Sequence, residues 1–195
     1  MGELNILIAG VGGQGAILMS NVIGRAAILS GRHVLSSETH GMAQRGGSVV
    51  THVRIDARSP LIPKGACDVL AGLEPLEALR AASYVGKHTH VVLNTHPLFP
   101  TSVLRGDGVY PDMDDVVSHF EKFCAHTFAF DATRVAASLG STRATNSVML
   151  GAMSHILTLE EDALVHALVE SVPPRTAELN RKAFEHGKRA LLSSR

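Results

Sequence analysis

A chain of 195 residues suits one α/β domain, or one with a helical extension, and should bury roughly 70% of the surface its unfolded form exposes. Its 18 basic and 18 acidic side chains cancel, which excludes the long-range field that would steer a protein to nucleic acid or anionic lipid. The two cysteines, Cys67 and Cys124, are far apart, so this chain can build neither a disulfide framework nor an iron–sulfur or zinc site.

Met1 leads within three residues into an apolar strand, with no basic leader, no cleavage site and no run near the ~20 apolar residues that cross a bilayer. A cytoplasmic chain without a membrane partner is expected. An apolar content of 45% and a mean hydropathy of +0.15 lean toward surface buried against another chain.

Leu4 to Ala9 reads as a strand that stops at Gly10-Val11-Gly12-Gly13-Gln14-Gly15. Leu18, Val22, Ala26 and Leu29 then recur at helical spacing until Gly31 ends the helix. A second strand, His33 to Ser37, should lie parallel to the first, because the helix supplies the right-handed crossover; together they make a β-α-β unit. After a glycine-rich segment from Glu38 to Gly47, the alternation around Val49, Thr51, Val53 and Ile55 predicts a half-buried strand.

Asp68 to Leu73 predicts a buried strand, and Glu74-Pro75 opens a helix with Leu76, Leu79 and Ala82 inward, proline sitting where its missing N–H costs nothing. Thr89 to Thr95 is the next strand, and Pro97 to Pro111 reads as a loop or small excursion. Helix Asp114 to Phe123 and strand Thr127 to Ala132 follow, with Asp131 placed to cap a helix. From about Thr145 the pattern is helical only: Thr145 to Leu157, Glu160 to Val169, and, past Pro173-Pro174, a helix striped by Leu179, Ala183, Ala190 and Leu191. The expected architecture is α/β and Rossmann-like: a mostly parallel sheet with helices on both faces, residues 1–195 forming one domain whose helical tail packs on the sheet.

Gly10, Gly12 and Gly15 fit G-x-G-x-x-G between a strand and a helix, the context of a dinucleotide fingerprint, and Glu38 stands where a ribose-binding acid would. The unpaired N–H groups of a helix start favour an anion. An independent NAD(P) or flavin oxidoreductase is therefore one open reading; a turn that faces another ligand or a partner chain is the other.

A second segment decides more. Glu38-Thr39-His40-Gly41-Met42-Ala43-Gln44-Arg45-Gly46-Gly47-Ser48 packs polar side chains among three glycines, more than a strand connection needs. At the carboxyl edge of a parallel sheet these groups would converge on the crevice where such folds bind ligands. Arg45 could hold a carboxylate or phosphate bidentately, and Gly46 and Gly47 would let a backbone come close. The site-shaping candidates are His40, Gln44, Arg45 and Ser48; those for contact with a cofactor are Gly10, Gly12, Gly13, Gln14, Gly15, Gly41, Gly46 and Gly47.

The glycine turn followed by His40 to Val49 resembles the γ-type domain of the 2-oxoacid:ferredoxin oxidoreductases, the pyruvate/ketoisovalerate family. Later segments are similar to the small β subunits of its indolepyruvate branch: Leu73-Glu74-Pro75-Leu76-Glu77-Ala78, Asn94-Thr95-His96-Pro97, Asn146 to Ala152, and Glu178-Leu179-Asn180 with Ala183-Phe184 and Gly187. The likeness runs nearly end to end. It implies a subunit inactive alone, in a heterodimer or heterotetramer. A large partner subunit would hold thiamine diphosphate, magnesium and 4Fe–4S clusters, and this chain would complete a site that decarboxylates an aryl 2-oxoacid, with coenzyme A as co-substrate and ferredoxin as acceptor. A homodimer when isolated stays open, as does a non-enzymatic assembly role.

Gly106-Asp107-Gly108 resembles the magnesium-diphosphate motif of thiamine enzymes only superficially, since its Asn-Asn is missing, and reads as a turn. His88 and His90 have no third ligand in sequence reach, so no metal site is expected.

Overall fold

The computed structural model describes residues 2–40, 46–99, 101–106 and 108–192. Six strands, β1 (Leu4–Val11), β2 (Val34–His40), β3 (Ser48–Ile55), β4 (Cys67–Gly72), β5 (Val85–Asn94) and β6 (His126–Phe130), form one sheet in the order β2-β3-β1-β4-β5-β6. Strands β1, β4, β5 and β6 pair in parallel, whereas β3 runs against both of its neighbours.

The expected β-α-β unit is thus split. β2 does point along β1, but β3 lies between them, its Ser48 to Ile55 opposite Val11 to Leu4 and its Val49 to Ile55 opposite His40 to Val34. Composition accounts for the order. Val-Leu-Ser-Ser-Glu-Thr-His suits an edge, where polar side chains discourage stray pairing, while β3 carries apolar residues on the pleat that faces the main core. β3 is also buried more than its alternation predicts, from Thr51 to Ile55 on both faces. Arg54 is accepted inside because its guanidinium donates to Asn5 Oδ1 (2.7 Å), Glu3 Oε2 (2.9 Å) and the carbonyls of Ser59 and Leu61. His52 accepts the Ile62 N–H at Nδ1 (3.2 Å) and meets the Tyr84 ring edge-on.

Period-two alternation divides the core in two. Ile6, Ile8, Val53, Val69 and Ala71 face α1 (Ala16–Leu29) and, beyond it, α6 (Thr145–Met153), α7 (Glu161–Ser171) and α8 (Ala177–Leu192); Leu7, Ala9, Leu70, Val91 and Leu93 face α2 (Pro75–Arg80) and α4 (Met113–Phe123). The buried stripe of α1 is Met19, Val22, Ile23, Ala26 and Ala27; Leu29 points outward instead. On α2 the most buried face is Pro75, Ala78 and Ala81, while Leu79 and Ala82 of the expected face pack against the core only partly buried and Leu76 is also only half-buried; after six residues the chain tightens into a 3-10 turn, Ala82–Tyr84. The Pro97 to Pro111 connection carries one turn of helix, α3 (Thr101–Leu104), and Asp131 caps α5 (Ala132–Ser138) by accepting the Arg134 N–H at 2.7 Å.

Helices α6 and α8 approach closely enough that a Cβ on Gly151 would lie 1.9 Å from the Phe184 carbonyl oxygen, and one on Gly187 1.8 Å from that of Val148. Both glycines are therefore required by contact. Among the described residues no helix is long and apolar enough to cross a membrane.

Candidate functional site

The turn after β1 is built from its own polar groups. Gln14 folds back so that its Oε1 accepts the Val11 N–H (2.8 Å), while its Nε2 donates to the Leu73 carbonyl at the end of β4 (3.0 Å). Gly13 and Gly15 lie at φ 107° and 86°, a region that L side chains avoid. Gly15 precedes α1 without any side-chain cap, so the first-turn N–H groups remain available to an acceptor from outside the helix. Gly10 is needed for closeness: a Cβ there would sit 2.8 Å from Gln14 Oε1 and 3.0 Å from Leu73 Cβ.

The second glycine bend lies against the first. Gly12 N donates to the Gly47 carbonyl at 2.8 Å and Gly46 N to that of Gly12 at 3.4 Å, while Ser48 stands opposite Val11 in the β1–β3 ladder. Gly10, Gly12, Gly13, Gln14, Gly15, Gly46, Gly47 and Ser48 are thereby gathered at the carboxyl end of β1. The His40 side chain and residues Gly41, Gln44 and Arg45 lie outside the described residues, as does Asp107 of the Gly106 to Gly108 turn.

Beside the bends a cleft of about 540 Å³ opens between Gly13 to Gly15, Leu73, His96, Thr133, Arg143 and Asn146, along the carboxyl ends of β1, β4, β5 and β6, where open α/β sheets place their ligands. Its floor is tied by one amide. Asn94, fully buried, accepts the N–H groups of Ala132 (3.0 Å), His96 (3.3 Å) and Thr133 (3.4 Å) at Oδ1, and its Nδ2 donates to the Leu73 carbonyl and to Thr133 Oγ1, both at 3.1 Å. Asn146 is buried on the opposite wall: its Nδ2 would lie 2.4 Å from a Cβ on Gly15, and its Oδ1 accepts the Ser147 N–H. His96 Nδ1 stands 3.7 Å from Asp131.

Behind Leu73, Glu74 is buried at the start of α2, where it accepts the Glu77 N–H at 2.9 Å and the Tyr110 hydroxyl. Burial pushes its carboxyl above the usual carboxylate range, opposed by those two hydrogen bonds; burial and the neighbouring carboxylate push the Tyr110 hydroxyl up as well.

Thr133 and Arg143 are not legible as cleft residues in the sequence, and Asn94 and Asn146 stand out there only within the family-like segments, without a site role. A polar amide at the end of an otherwise apolar strand, Val91-Val92-Leu93-Asn94, was the available signal for Asn94. Glu38, the ribose-binding candidate, sits on β2, two strand spacings or roughly 10 Å from β1. His88 and His90 lie toward the opposite, amino ends of the strands, where His88 is 3.4 Å from Asp68 and His90 stacks on His126.

Residues 5–190 match the family model described as pyruvate ferredoxin/flavodoxin oxidoreductase. The chain belongs to this family. It is 42% identical to the indolepyruvate oxidoreductase subunit IorB of Archaeoglobus fulgidus, the match covering 99% of this chain and 98% of that one, and 40% identical to the subunit of that name from Thermococcus kodakarensis, over 97% and 96%. A family member with a different substrate in its name, the 2-oxoglutarate synthase subunit KorC of Methanothermobacter thermautotrophicus, is 31% identical over 96% of this chain and 94% of its own. Among solved structures the fold resembles the keto/oxoacid ferredoxin oxidoreductase γ subunit of Geobacter sulfurreducens, with a TM-score of 0.72, 28% identity and coverage of 97% and 99%. The α/β fold with its mostly parallel sheet is thus that of a family whose members are subunits of oxidoreductases.

Proposed function

We propose that this chain is the small subunit of an indolepyruvate-type 2-oxoacid:ferredoxin oxidoreductase, and that residues 1–195 act as one γ-type unit in the cytoplasm. The reading is carried by the end-to-end likeness, 42% at best among the relatives quoted, to subunits named for indolepyruvate, against 31% for one named for 2-oxoglutarate. In the complex the large subunit holds thiamine diphosphate, magnesium and the 4Fe–4S clusters; two cysteines are too few for a cluster that takes four thiolates. Thiamine diphosphate bound there would supply the nucleophilic carbon that adds to the 2-oxoacid carbonyl carbon and the electron sink for loss of carbon dioxide. The products are the aryl acyl-CoA and two electrons for ferredoxin.

The part of this chain is positional. The two glycine bends, joined through Gly12 and Gly47, face the partner's reaction centre, and Arg45, Gln44, His40 and Ser48 are the side chains assigned to shape that edge. The cleft fits the phosphates of coenzyme A: the uncapped α1 start, the Asn146 amide and the exposed Arg143 are donors on one wall. The dinucleotide alternative is disfavoured by the position of Glu38 on an edge strand separated from β1 by β3.

Co-expression with the large subunit tests this reading. Indolepyruvate or phenylpyruvate with coenzyme A should reduce ferredoxin only when both chains are present, and faster than 2-oxoglutarate does. Reduction of NAD(P) by this chain alone, or full turnover by the large subunit without it, would reject the proposal.

A further inference from the structure

The connection between β5 and α4 carries four large apolar side chains in the open: Leu98, Phe99, Leu104 and Val109 are 44%, 48%, 72% and 90% exposed. The remaining exposed large apolar residues, Ile17, Ile28, Leu29, Leu61 and Phe123, are divided among three other parts of the described chain. We propose that Phe99, Leu104 and Val109 of this connection are contact side chains on which the large subunit docks, with Tyr110 as the post that holds Phe99. The inference rests on the functional reading above and names the part of the chain that binds the partner.

Area, anchoring and continuity with the cleft support it. The four side chains together leave open the equivalent of about two and a half whole ones, roughly 400 Å² at the ~150 Å² or more that a large side chain covers. That summed area is about half of the ~800 Å² that each partner contributes to a standard interface. Phe99 is also held from within. Tyr110 donates its hydroxyl to Glu74, which is fully buried and fixed by the Glu77 N–H, and the Phe99 ring meets the Tyr110 ring edge-on at 4.8 Å. A contact loop fixed before association loses less freedom on binding. Finally, the connection runs into the cleft, which His96 and Leu98 line. A partner seated here has its own surface beside the cleft, as the functional reading requires of the subunit with the reaction centre, whereas a second copy of this chain would cover two clefts at once.

The test measures affinity between the full-length chain and the cofactor-loaded large subunit. Phe99→Ser, Leu104→Ser and Val109→Ser should each weaken association roughly tenfold or more, as for residues central to an interface, with urea midpoints unchanged for the well-exposed Leu104 and Val109. Phe123→Ser and Leu61→Ser, 59% and 54% exposed but elsewhere, should change it less than about twofold. Tyr110→Phe should weaken it several-fold although it removes no exposed apolar surface. Wild-type affinity in the three contact variants, equal losses in the two controls, or a self-association abolished by the same three substitutions would overturn the proposal. If the wild-type chain fails to bind the large subunit, the functional reading falls and this inference with it. If the complex forms and turns over but ignores the three substitutions, this inference alone falls.

Discussion

Asn94→Ala removes the amide that joins β4, β5 and the start of α5. Its Oδ1 accepts three N–H groups and its Nδ2 donates twice. Ala132 is fully buried, so its N–H loses its acceptor where water is excluded, a cost of ~1–3 kcal/mol. His96 and Thr133 border the open cleft and can turn to water, and the smaller side chain adds a modest void. Together these give a loss of about 3 kcal/mol. With a urea dependence of ~2 kcal/mol per molar for a chain of this size, the unfolding midpoint should fall by about 1.5 M. A loss below ~1 kcal/mol would refute the view that this amide organises the cleft floor. Asn94→Asp refines the test: it keeps the acceptor but turns a carboxylate oxygen toward the Leu73 carbonyl. Only the protonated acid can donate there, so the folded state would bind the proton more tightly than the unfolded one. The variant should therefore regain stability as pH falls from 7.5 toward 5, where the wild type should not.

Gly187→Ala and Gly151→Ala should each destabilise by ~2 kcal/mol or more, although alanine ordinarily favours a helix by ~1 kcal/mol, because the added methyl meets a backbone carbonyl of the other helix; thermal unfolding reads this directly. Burial, aided by the Arg54 charge, lowers the folded pKa of His52 below its ordinary 6.5. The unfolded chain then takes up the proton first, so stability should drop as pH falls below 6.5 and through the folded value, and His52→Gln should flatten that part of the urea-midpoint profile. Cys67, its thiol pushed up to about 12 by burial, should resist iodoacetamide at pH 8 in the folded protein and react on unfolding, as mass spectrometry of the labelled chain can follow.

Much of the fold is legible because the informative patterns are local. The run Leu4 to Ala9, the glycine turn and the helical spacing after it identify β1 and α1, Glu74-Pro75 announces a helix start, and Asp131 a cap. Strand order is not local. Nothing in Val49 to Ile55 says that β3 inserts between β2 and β1, and Arg54 and His52 could be recognised as buried only through partners supplied by Asn5, Glu3 and Ile62. The site divides in the same way. The two glycine bends are each legible as motifs, but their contact rests on β3 pairing with β1, and that Gln14 staples the turn to Leu73, or that Asn146 rests against Gly15, depends on contacts across 59 residues in the first case and between α6 and the turn in the second.

Hydrogen exchange of this chain, free and in complex with the large subunit, addresses the central claim most directly. New protection is expected at residues 10–15, 46–48, 96–99 and 108–110. Protection confined to the amino ends of the strands around His88, His90 and His126, with those segments unchanged, would contradict the claim.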